Sequence, residues 1–418
     1  MSERVVVGVG GGIAAYKSCE LIRRLKEGGS DVRAVPTEAA LRFVGAATFE
    51  ALSGHPVDTG VFERVDEVQH VRVGKEADAL IIAPATADLI ARLAGGFADD
   101  LLTATALVAT CPVVLAPAMH TEMWLNPAVK DNVETLRRRG VVVLEPASGR
   151  LTGSDSGPGR MLAPAQIADA TGAVLAGWRP GRALQGRRVV VTAGGTRERL
   201  DPVRYLGNFS SGRQGFALAE AAAQAGAEVT LVAAATDELP TPAGTTVERV
   251  ESARELEEAT RRAAAGADAV LMAAAVADVR PAAQAEAKLK KSAGGDALAS
   301  IELQENPDIV RGLVAARKDG ELPAGVRIVC FAAETGDETA SAREFGARKL
   351  KAKGADLIMV NEVGEGGAFG SADNEGWLMR PDPEGDEPIV AEVPRGPKLL
   401  VAGRIVEELA GLLGGAGD

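Results

Sequence analysis

Short runs of β-branched and other apolar residues, separated by helical stretches, are the feature that most limits how this chain can fold. Strands that are apolar on both faces are typical of parallel sheets covered by helices on both sides. In the first half this pattern predicts strands at residues 5–7, 32–35, 79–83, 113–116 and 141–144, with a helix over 13–26. We therefore expect an α/β fold with a doubly wound parallel sheet, Rossmann-like or flavodoxin-like.

The pattern restarts after a break rich in Gly, Pro and Arg at residues 177–182. The second half predicts strands at residues 188–191, 229–232, 269–275, 328–331 and 357–360, with a helix over 216–225. A length of 418 residues also favours more than one compact unit. We predict two doubly wound α/β domains, residues 1–177 and 187–413, joined by a linker at 178–186.

The composition of the chain limits the cellular compartment and the binding partners that we expect for it. The net charge of -12 argues against a nucleic-acid-binding surface, and 3 scattered Cys residues fit a reducing compartment. The uncharged stretch 101–119 contains Pro112 and Pro117, which favours a buried helix followed by a strand over a membrane span. No signal peptide is evident. We expect a cytoplasmic protein that binds neither nucleic acid nor membrane.

A glycine-rich turn, Gly8-Val9-Gly10-Gly11-Gly12-Ile13, lies between the first strand and the first helix. The backbone N–H groups of such a turn can bind a phosphate at the helix N-terminus, although a plain turn without a ligand is the alternative. Ile13 replaces the third glycine of the dinucleotide fingerprint, and the second strand leads to Thr37 rather than to an acid, although Glu38 follows. FMN is therefore favoured over NAD.

Histidine is scarce, and two of the 3 His residues stand out. His70 is expected to precede a strand that starts near Val71. His120 follows the fourth strand, where the crevice of an open parallel sheet lies. A lone histidine is more often structural than catalytic, so the residues alone leave both roles open.

Four segments of the first half, at 11–17, 83–88, 117–124 and 157–161, resemble the flavin-dependent cysteine decarboxylases. In that family the decarboxylase acts on phosphopantothenoylcysteine, and flavin sites lie between the subunits of a trimer. The resemblance implies His70 as the catalytic base, and Met119, His120 and Arg160 as substrate contacts. The FMN contacts that it implies are Gly11, Gly12, Ile13, Thr37, Phe43, Thr86, Ala87 and Asp88.

The chain departs from this family at two places. Many members have Asn where His120 stands, and a Cys in the loop before Gly-x-Gly-Arg, whereas residues 151–160 contain no Cys. We hypothesise that no cysteine is catalytic, and that His120, Asp155 or a bound water supplies the proton for the final reduction. The alternative is a catalytically impaired first half.

The second half carries two polar turns and several lysines. The segment 192–198 is a glycine turn, and 208–213, rich in Asn, Ser and Gly, is either a helix cap or a phosphate-binding loop. Lys288, Lys290 and Lys291 follow a predicted strand. Lys349 and Lys353 lie four apart, on one helical face. Such lysines are usually solvated, but beside Asp278 and residues 306–309 they favour a triphosphate with a divalent cation.

These segments resemble phosphopantothenate–cysteine ligase over almost all of the second half. Together the two resemblances imply the bacterial bifunctional enzyme of coenzyme A biosynthesis, with a dimeric ligase, a trimeric decarboxylase and thus a larger homo-oligomer. The substrates implied are CTP, 4'-phosphopantothenate and cysteine, with Asn208 at the acyl-cytidylate and Mg2+ near Asp278. The nucleotide contacts implied are Ala273, Ala274, Ala275, Asp278, Lys288, Asn306, Pro307, Asp308, Ile309, Phe331, Lys349 and Lys353, with Lys288 and Asn208 also catalytic.

Two other functions fit parts of the sequence. A two-domain NAD(P)-dependent reductase would explain the glycine-rich turns that open both halves. A flavin-binding regulatory protein is the second alternative, because flavodoxin-like decarboxylase folds also serve as regulatory subunits.

Overall fold

The computed structural model describes residues 2–61, 68–151, 156–289, 300–337, 339–362 and 373–414. The chain divides into two compact units, Met1–Pro180 and Gly181–Asp418. Each unit has a central sheet with its own hydrophobic core. No helix among the described residues is long and apolar enough to cross a membrane.

The first unit is built around a five-stranded sheet in the order β2-β1-β3-β4-β5, in which all neighbouring strands are parallel. This confirms the predicted strands and the doubly wound α/β class. The chain turns from one side of β1 to the other between β2 and β3, so the switch point lies between β1 and β3. The elements are β1 (Arg4–Val9), α1 (Ala15–Glu27), β2 (Asp31–Pro36), α2 (Glu38–Leu41), α3 (Ala46–Ser53), α4 (Gln69–Glu76), β3 (Ala79–Ala85), α5 (Ala87–Gly95), α6 (Leu101–Val108), β4 (Val113–Pro117), α7 (Thr121–Leu125), α8 (Pro127–Arg138), β5 (Val142–Val143), β6 (Ala147–Arg150), β7 (Ser156–Arg160) and α9 (Pro164–Leu175).

The second unit has an eight-stranded sheet in the order β12-β11-β8-β13-β16-β17-β18-β19. The strands from β12 to β17 are parallel, and β18 and β19 add an antiparallel edge that the sequence did not reveal. The elements are β8 (Arg188–Ala193), β9 (Arg197–Arg199), β10 (Tyr205–Gly207), α10 (Arg213–Gln224), β11 (Glu228–Ala233), β12 (Thr245–Arg249), α11 (Ala253–Ala264), β13 (Ala269–Met272), β14 (Val279–Pro281), β15 (Leu303–Glu305), α12 (Ile309–Lys318), β16 (Arg327–Glu334), α13 (Ala342–Lys353), β17 (Leu357–Glu362), β18 (Asp373–Arg380), β19 (Ile389–Pro397) and α14 (Lys398–Leu412).

The environment of His70 differs from the prediction. His70 lies in the first turn of helix α4, not ahead of a strand. Gln69 and Val73 are buried four residues apart, which is helical spacing. Helix α4 also packs closely on α6, because a Cβ on Gly74 would lie 2.9 Å from the Thr105 carbonyl oxygen. This close packing of two helices replaces the expected strand.

The predicted strand at 269–275 is also too long. Strand β13 ends at Met272, and residues 273–278 form a loop. Residues 273–275 are all alanine, a residue that is depleted in strands, whereas Val270 in β13 is a β-branched residue that favours them. Their backbone groups bond to the glycine turn after β8 instead, for example from the Ala275 N–H to the Gly194 carbonyl at 2.8 Å.

The segment predicted as a linker contributes buried residues to both units. Trp178 is 3% exposed, and its N–H donates to the Ala173 carbonyl at 2.8 Å, so it closes α9. Leu184 is fully buried, and its N–H donates to the Ala225 carbonyl at 3.0 Å in the second unit. A division after Pro180 therefore separates the two sets of contacts.

We expect a fragment of residues 181–418 to resist urea unfolding better than a fragment that starts at residue 187. The shorter fragment lacks Leu184, and removing a buried leucine side chain costs about 2–5 kcal/mol of unfolding free energy. Urea titration followed by circular dichroism measures the difference. The matched control is the longer fragment with Leu184→Ala, which should show most of the same loss. Equal stability of all three fragments would contradict the assignment of Leu184 to this core.

Candidate active sites

The residues predicted to bind FMN lie along the carboxyl edge of the first sheet. The edge is continuous, because backbone hydrogen bonds join the strand ends. The Thr37 N–H donates to the Val9 carbonyl at 2.9 Å, and the Gly10 N–H donates to the Pro84 carbonyl at 3.1 Å. The turn after β1, Thr37 after β2 and residues 86–88 after β3 thus flank the switch point, where an open α/β sheet binds its ligand.

The glycine turn has no room for a side chain at Gly10 or Gly11. A Cβ on Gly11 would lie 2.3 Å from the Cβ of Ala39, and a Cβ on Gly10 would lie 2.4 Å from the Pro84 carbonyl oxygen. Beside this turn two large apolar side chains face solvent, Ile13 at 74% and Phe43 at 50% exposure. A backbone turn with exposed apolar neighbours suits a ligand that has both a phosphate and a flat aromatic ring. The residues present therefore fit FMN.

Two hydroxyl groups among the predicted FMN contacts have structural roles. The Thr37 hydroxyl accepts a hydrogen bond from the Ala40 N–H at 3.2 Å and so caps α2. The Thr86 hydroxyl accepts from the Leu89 N–H at 3.3 Å and caps α5. Asp88 is exposed in the first turn of that helix, next to Ala87. Their contacts with FMN remain a prediction.

The predicted substrate contacts are held together by a glycine-containing hairpin of β6 and β7. The Met119 N–H donates to the Gly159 carbonyl at 2.9 Å. A Cβ on Gly159 would lie 2.4 Å from the Met119 carbonyl oxygen, and φ there is +138°, so only glycine fits. Arg160, at the end of β7, is thus carried to the segment that presents Met119 and His120. Both Arg160 and His120 are exposed.

His70 is separate from this hydrogen-bonded edge. It is half-buried in α4, and its imidazole makes no hydrogen bond to any residue that the structure describes. Val68, just before the helix, has φ of +42°, which is strained for a β-branched residue. Asp155, the other candidate proton donor, lies outside the described residues.

Lys17 lies next to the predicted substrate contact Arg160, a position that the sequence reasoning missed. Its Nζ donates to the Met161 carbonyl at 3.4 Å, so helix α1 reaches the residue after Arg160. Burial lowers the pKa of Lys17, and the nearby positive charge of Arg160 lowers it further. Two cations are therefore close together at this edge. One indication was present in the sequence, because Lys17 ends the segment 11–17, which resembles the flavin-dependent cysteine decarboxylases.

In the second unit, the loop 273–278 is held by two predicted site residues. The Asn208 side-chain amide donates to the Val276 carbonyl at 3.1 Å. The Asn306 amide donates to the Ala277 carbonyl at 2.8 Å, and the Asn306 backbone N–H donates to the Asp278 carbonyl at 2.8 Å. The structure therefore brings Asn208, Asn306 and the loop together at the carboxyl edge of the second sheet.

The two predicted lysines of α13 are already paired with carboxylates. The Lys349 Nζ lies 2.9 Å from Glu334 Oε1, at the end of the strand that carries Phe331. The Lys353 Nζ lies 2.6 Å from Oδ2 of Asp308, which caps α12. Pro307 and the buried Ile309 flank Asp308. These ion pairs connect α12, β16 and α13 at one place.

Lys288 is exposed, but a buried carboxylate fixes its neighbour. Asp201, 1% exposed, accepts from the Leu289 N–H at 3.2 Å and from the Val203 and Arg204 N–H groups at 2.8 and 2.9 Å. Burial raises the pKa of Asp201, but these hydrogen bonds and the charge of Arg204 outweigh it, so the pKa is lowered. The sequence analysis did not identify this role of Asp201. Lys290 and Lys291 lie outside the described residues.

Asp278, the predicted metal contact, is the exposed last residue of the loop 273–278. Among the described residues no group of three or more His, Cys, Asp or Glu side chains is arranged to hold a metal ion. A Mg2+ ion commonly enters a nucleotide site through one or two carboxylates together with the phosphates. A single carboxylate at this position fits that mode of binding.

Two family models together match most of the chain. The Flavoprotein model matches residues 1–176. The model described as DNA/pantothenate metabolism flavoprotein C-terminal domain matches residues 184–412. The two α/β units and their edge sites therefore define a two-part flavoprotein of the pantothenate-metabolism class.

Curated relatives match the chain over nearly its full length. The coenzyme A biosynthesis bifunctional protein CoaBC of Mycolicibacterium smegmatis is 56% identical, covering 98% of each chain. CoaBC of Mycobacterium tuberculosis is 54% identical over 99% of this chain and 97% of that one, and CoaBC of Vibrio vulnificus is 41% identical over 99% and 98%. The chain belongs to the family of coenzyme A biosynthesis bifunctional proteins CoaBC.

Solved structures resemble each half separately. The C-terminal domain of a CoaBC protein is 35% identical, with a TM-score of 0.44, and covers 56% of this chain and 99% of its own. The FMN-dependent cysteine decarboxylase SpaF is 35% identical, with a TM-score of 0.34, and covers 40% of this chain and 97% of its own. Both TM-scores are below 0.5, so these likenesses add no weight to the family assignment.

The three cysteines have environments that disfavour a thiolate. Burial raises the pKa of the Cys330 thiol to about 12 and also raises the pKa values of Cys19 and Cys111. Such thiols stay protonated at neutral pH. Cys330 also belongs to the second unit. A protonated thiol can still donate a proton, so the hypothesis that no cysteine is catalytic rests on position: none of the three lies in the loop before Gly157.

We expect a variant with Cys19→Ser, Cys111→Ser and Cys330→Ala to retain the decarboxylation that the family resemblance implies. None of the three thiols lies in a segment matching the usual catalytic loop, so removing them leaves the reacting groups in place. Mass spectrometry of the product and the release of CO2 measure the activity, with flavin absorbance as the control for FMN binding. Accumulation of the oxidised aminoenethiol by the flavin-loaded variant would contradict the hypothesis.

Proposed function

We propose that the chain catalyses two successive reactions of coenzyme A biosynthesis. The second half ligates 4'-phosphopantothenate with cysteine and uses CTP to activate the carboxylate. The first half then decarboxylates the resulting phosphopantothenoylcysteine to 4'-phosphopantetheine with FMN as cofactor. The observation that carries this proposal is the full-length similarity to bifunctional CoaBC relatives, with both family models matched in order. The product of one half is the substrate of the other, which explains why they are joined in one chain.

The ligase reaction needs an activated carboxylate, because a carboxylate oxygen is a poor leaving group. The carboxylate of phosphopantothenate attacks the α-phosphate of CTP, which forms an acyl-cytidylate and releases pyrophosphate. The cysteine amine then displaces CMP. Lys288, Lys349 and Lys353 stabilise the negative charge of the departing pyrophosphate, and Asp278 would hold a nucleotide-bound Mg2+. Asn208 contacts the acyl-cytidylate.

In the first half, the glycine turn and the exposed side chains of Ile13 and Phe43 would hold FMN. When bound, FMN would supply a two-electron acceptor for the cysteinyl thiol, and the thiocarbonyl so formed would accept the electrons left by CO2 loss. His70 accepts a substrate proton at a ring nitrogen. Arg160 and His120 bind the substrate carboxylate through charge-assisted or neutral hydrogen bonds.

We further propose the two units as autonomous domains within a homo-oligomer in the cytoplasm. The separate cores and the buried residues on either side of Pro180 support autonomy. Resemblance to trimeric decarboxylases and dimeric ligases supports an assembly in which trimers of the first domain are joined by dimers of the second.

The purified chain, supplied with FMN, Mg2+, CTP, cysteine and 4'-phosphopantothenate, should form 4'-phosphopantetheine and CO2. The variant His70→Asn should stop at phosphopantothenoylcysteine, because a positioned base supplies about a hundred- to ten-thousand-fold in rate. Mass spectrometry of both products over time measures the two steps in one reaction. Flavin absorbance and pyrophosphate release serve as controls, because the substitution leaves FMN binding and ligation intact.

Two outcomes would contradict these assignments. If the unaltered protein ligates but releases no CO2, the first half is catalytically impaired. If His70→Asn decarboxylates at a near-normal rate, His70 has only a structural role.

Lys288→Gln and Asn208→Asp should damage different partial reactions of ligation. Lys288 acts on the triphosphate, so its loss should reduce pyrophosphate release in the absence of cysteine. Asn208 acts on the intermediate as a neutral hydrogen-bonding group, so its charged replacement should allow cytidylate formation but slow amide formation. Single-turnover assays with and without cysteine separate the steps. Failure of both variants at the same step would show that this division of roles is wrong.

A further inference from the structure

The loop 273–278 has no regular secondary structure of its own, yet two buried hydroxyl groups hold it from inside the second unit. Thr192 lies in β8 and Thr196 in the turn after it, and both are fully buried. A buried backbone N–H that lacks an acceptor is costly, so the acceptors inside the unit determine where this loop lies.

Thr196 makes two hydrogen bonds to the loop. Its hydroxyl oxygen accepts from the Ala277 N–H at 3.0 Å, and its own backbone N–H donates to the Ala275 carbonyl at 3.1 Å. Ala277 is 6% exposed, so water is not a ready substitute for the lost acceptor. Thr196 therefore holds the loop at Ala275 and at Ala277, the residue before Asp278; Ala275 and Asp278 are both predicted to contact nucleotide.

Thr192 supports the start of the same loop. Its hydroxyl oxygen accepts from the Ala274 N–H at 3.1 Å, and its hydroxyl group lies 3.8 Å from the Met272 sulfur. The exposed residue Asn208 also contacts the loop, because its amide donates to the Val276 carbonyl. The loop is thus held by two buried threonines and by an exposed residue that is predicted to be catalytic.

The glycine turn after β8 also contacts Asn208. A Cβ on Gly195 would lie 2.7 Å from the Asn208 carbonyl oxygen, so the turn that presents Thr196 packs directly against the backbone of Asn208. A shift of Thr196 would therefore move both the loop 273–278 and Asn208. The backbone of the loop, rather than its small side chains, is therefore what these contacts orient toward a ligand.

We propose that Thr192 and Thr196 are positioning residues for the nucleotide: their hydroxyl groups hold the backbone of 273–278 in the conformation that binds the triphosphate-bearing substrate. This inference rests on the proposed CTP-dependent ligation. Neither hydroxyl touches the nucleotide itself, since both are fully buried. Their effect is on nucleotide affinity and cytidylate formation, not on the cysteine step.

The test compares isosteric and conservative variants in the full-length protein. Thr196→Val and Thr192→Val keep the shape but remove the acceptor, and Thr196→Ser keeps the hydroxyl. Thr260→Val is the matched control, because Thr260 is fully buried in the same unit and its hydroxyl has no partner among the described residues. The measurements are KM for CTP, KM for cysteine, pyrophosphate release, decarboxylation of added phosphopantothenoylcysteine and the unfolding temperature.

Thr196→Val should raise KM for CTP roughly tenfold, the ratio that corresponds to one lost hydrogen bond. Thr192→Val should change it in the same direction. Thr196→Ser and Thr260→Val should match the unaltered protein, and none of the variants should change KM for cysteine or decarboxylation. If Thr196→Val does not fold, Thr192→Val decides the question.

The outcomes separate this inference from the proposed function. If the unaltered protein forms no cytidylate from CTP, the proposed ligation fails and the inference falls with it. If the unaltered protein ligates, but the two valine variants have the same KM for CTP as Thr260→Val, the inference alone is wrong. An equal rise in KM for CTP and for cysteine would assign the threonines a merely structural role and would also overturn it.

Discussion

The central strands of both sheets run parallel, and this direction decides where ligands can bind. Each strand is followed by a connection that returns to the amino edge, so all carboxyl ends of the parallel strands meet at one edge. There the strands stop but their backbone groups still need partners, which the neighbouring loops supply. In the first unit the Gly10 N–H donates to the Pro84 carbonyl, and in the second the Ala275 N–H donates to the Gly194 carbonyl. Both hydrogen bonds join the glycine turn after the first strand of the unit to the end of a neighbouring strand or the loop that follows it.

Much of the fold follows from local sequence, because β-branched runs that are buried on both faces have few alternatives. Predictions failed where tertiary packing outweighed the local pattern. Residues around His70 alternate like a strand, but the close approach of Gly74 to α6 favours a helix. The antiparallel strand β18 begins with Asp373 and alternates only partly, and its partner β19 is mostly exposed, so neither gives the continuous apolar signal of the parallel strands.

The candidate sites were harder to predict than the fold, because their residues are joined by contacts between distant parts of the chain. The segments containing Lys288 and Asn208 could be identified from family resemblance. The carboxylate of Asp201, which fixes Leu289, could not be paired with it from sequence, because 88 positions separate them. The cation Lys17 was overlooked for the same reason: its importance depends on its proximity to Arg160, across the unit.

The contacts of α14 have a consequence for how the chain folds during synthesis. Every element of the first unit precedes Pro180, and Trp178 completes its last helix, so this unit can fold while the ribosome is still making the second. In the second unit, α14 packs against α10, and Arg187 donates to the Leu413 carbonyl at 3.0 Å. The second core is therefore completed only after α14 has left the ribosome, so α10 waits through the translation of the rest of the unit for the helix that covers it.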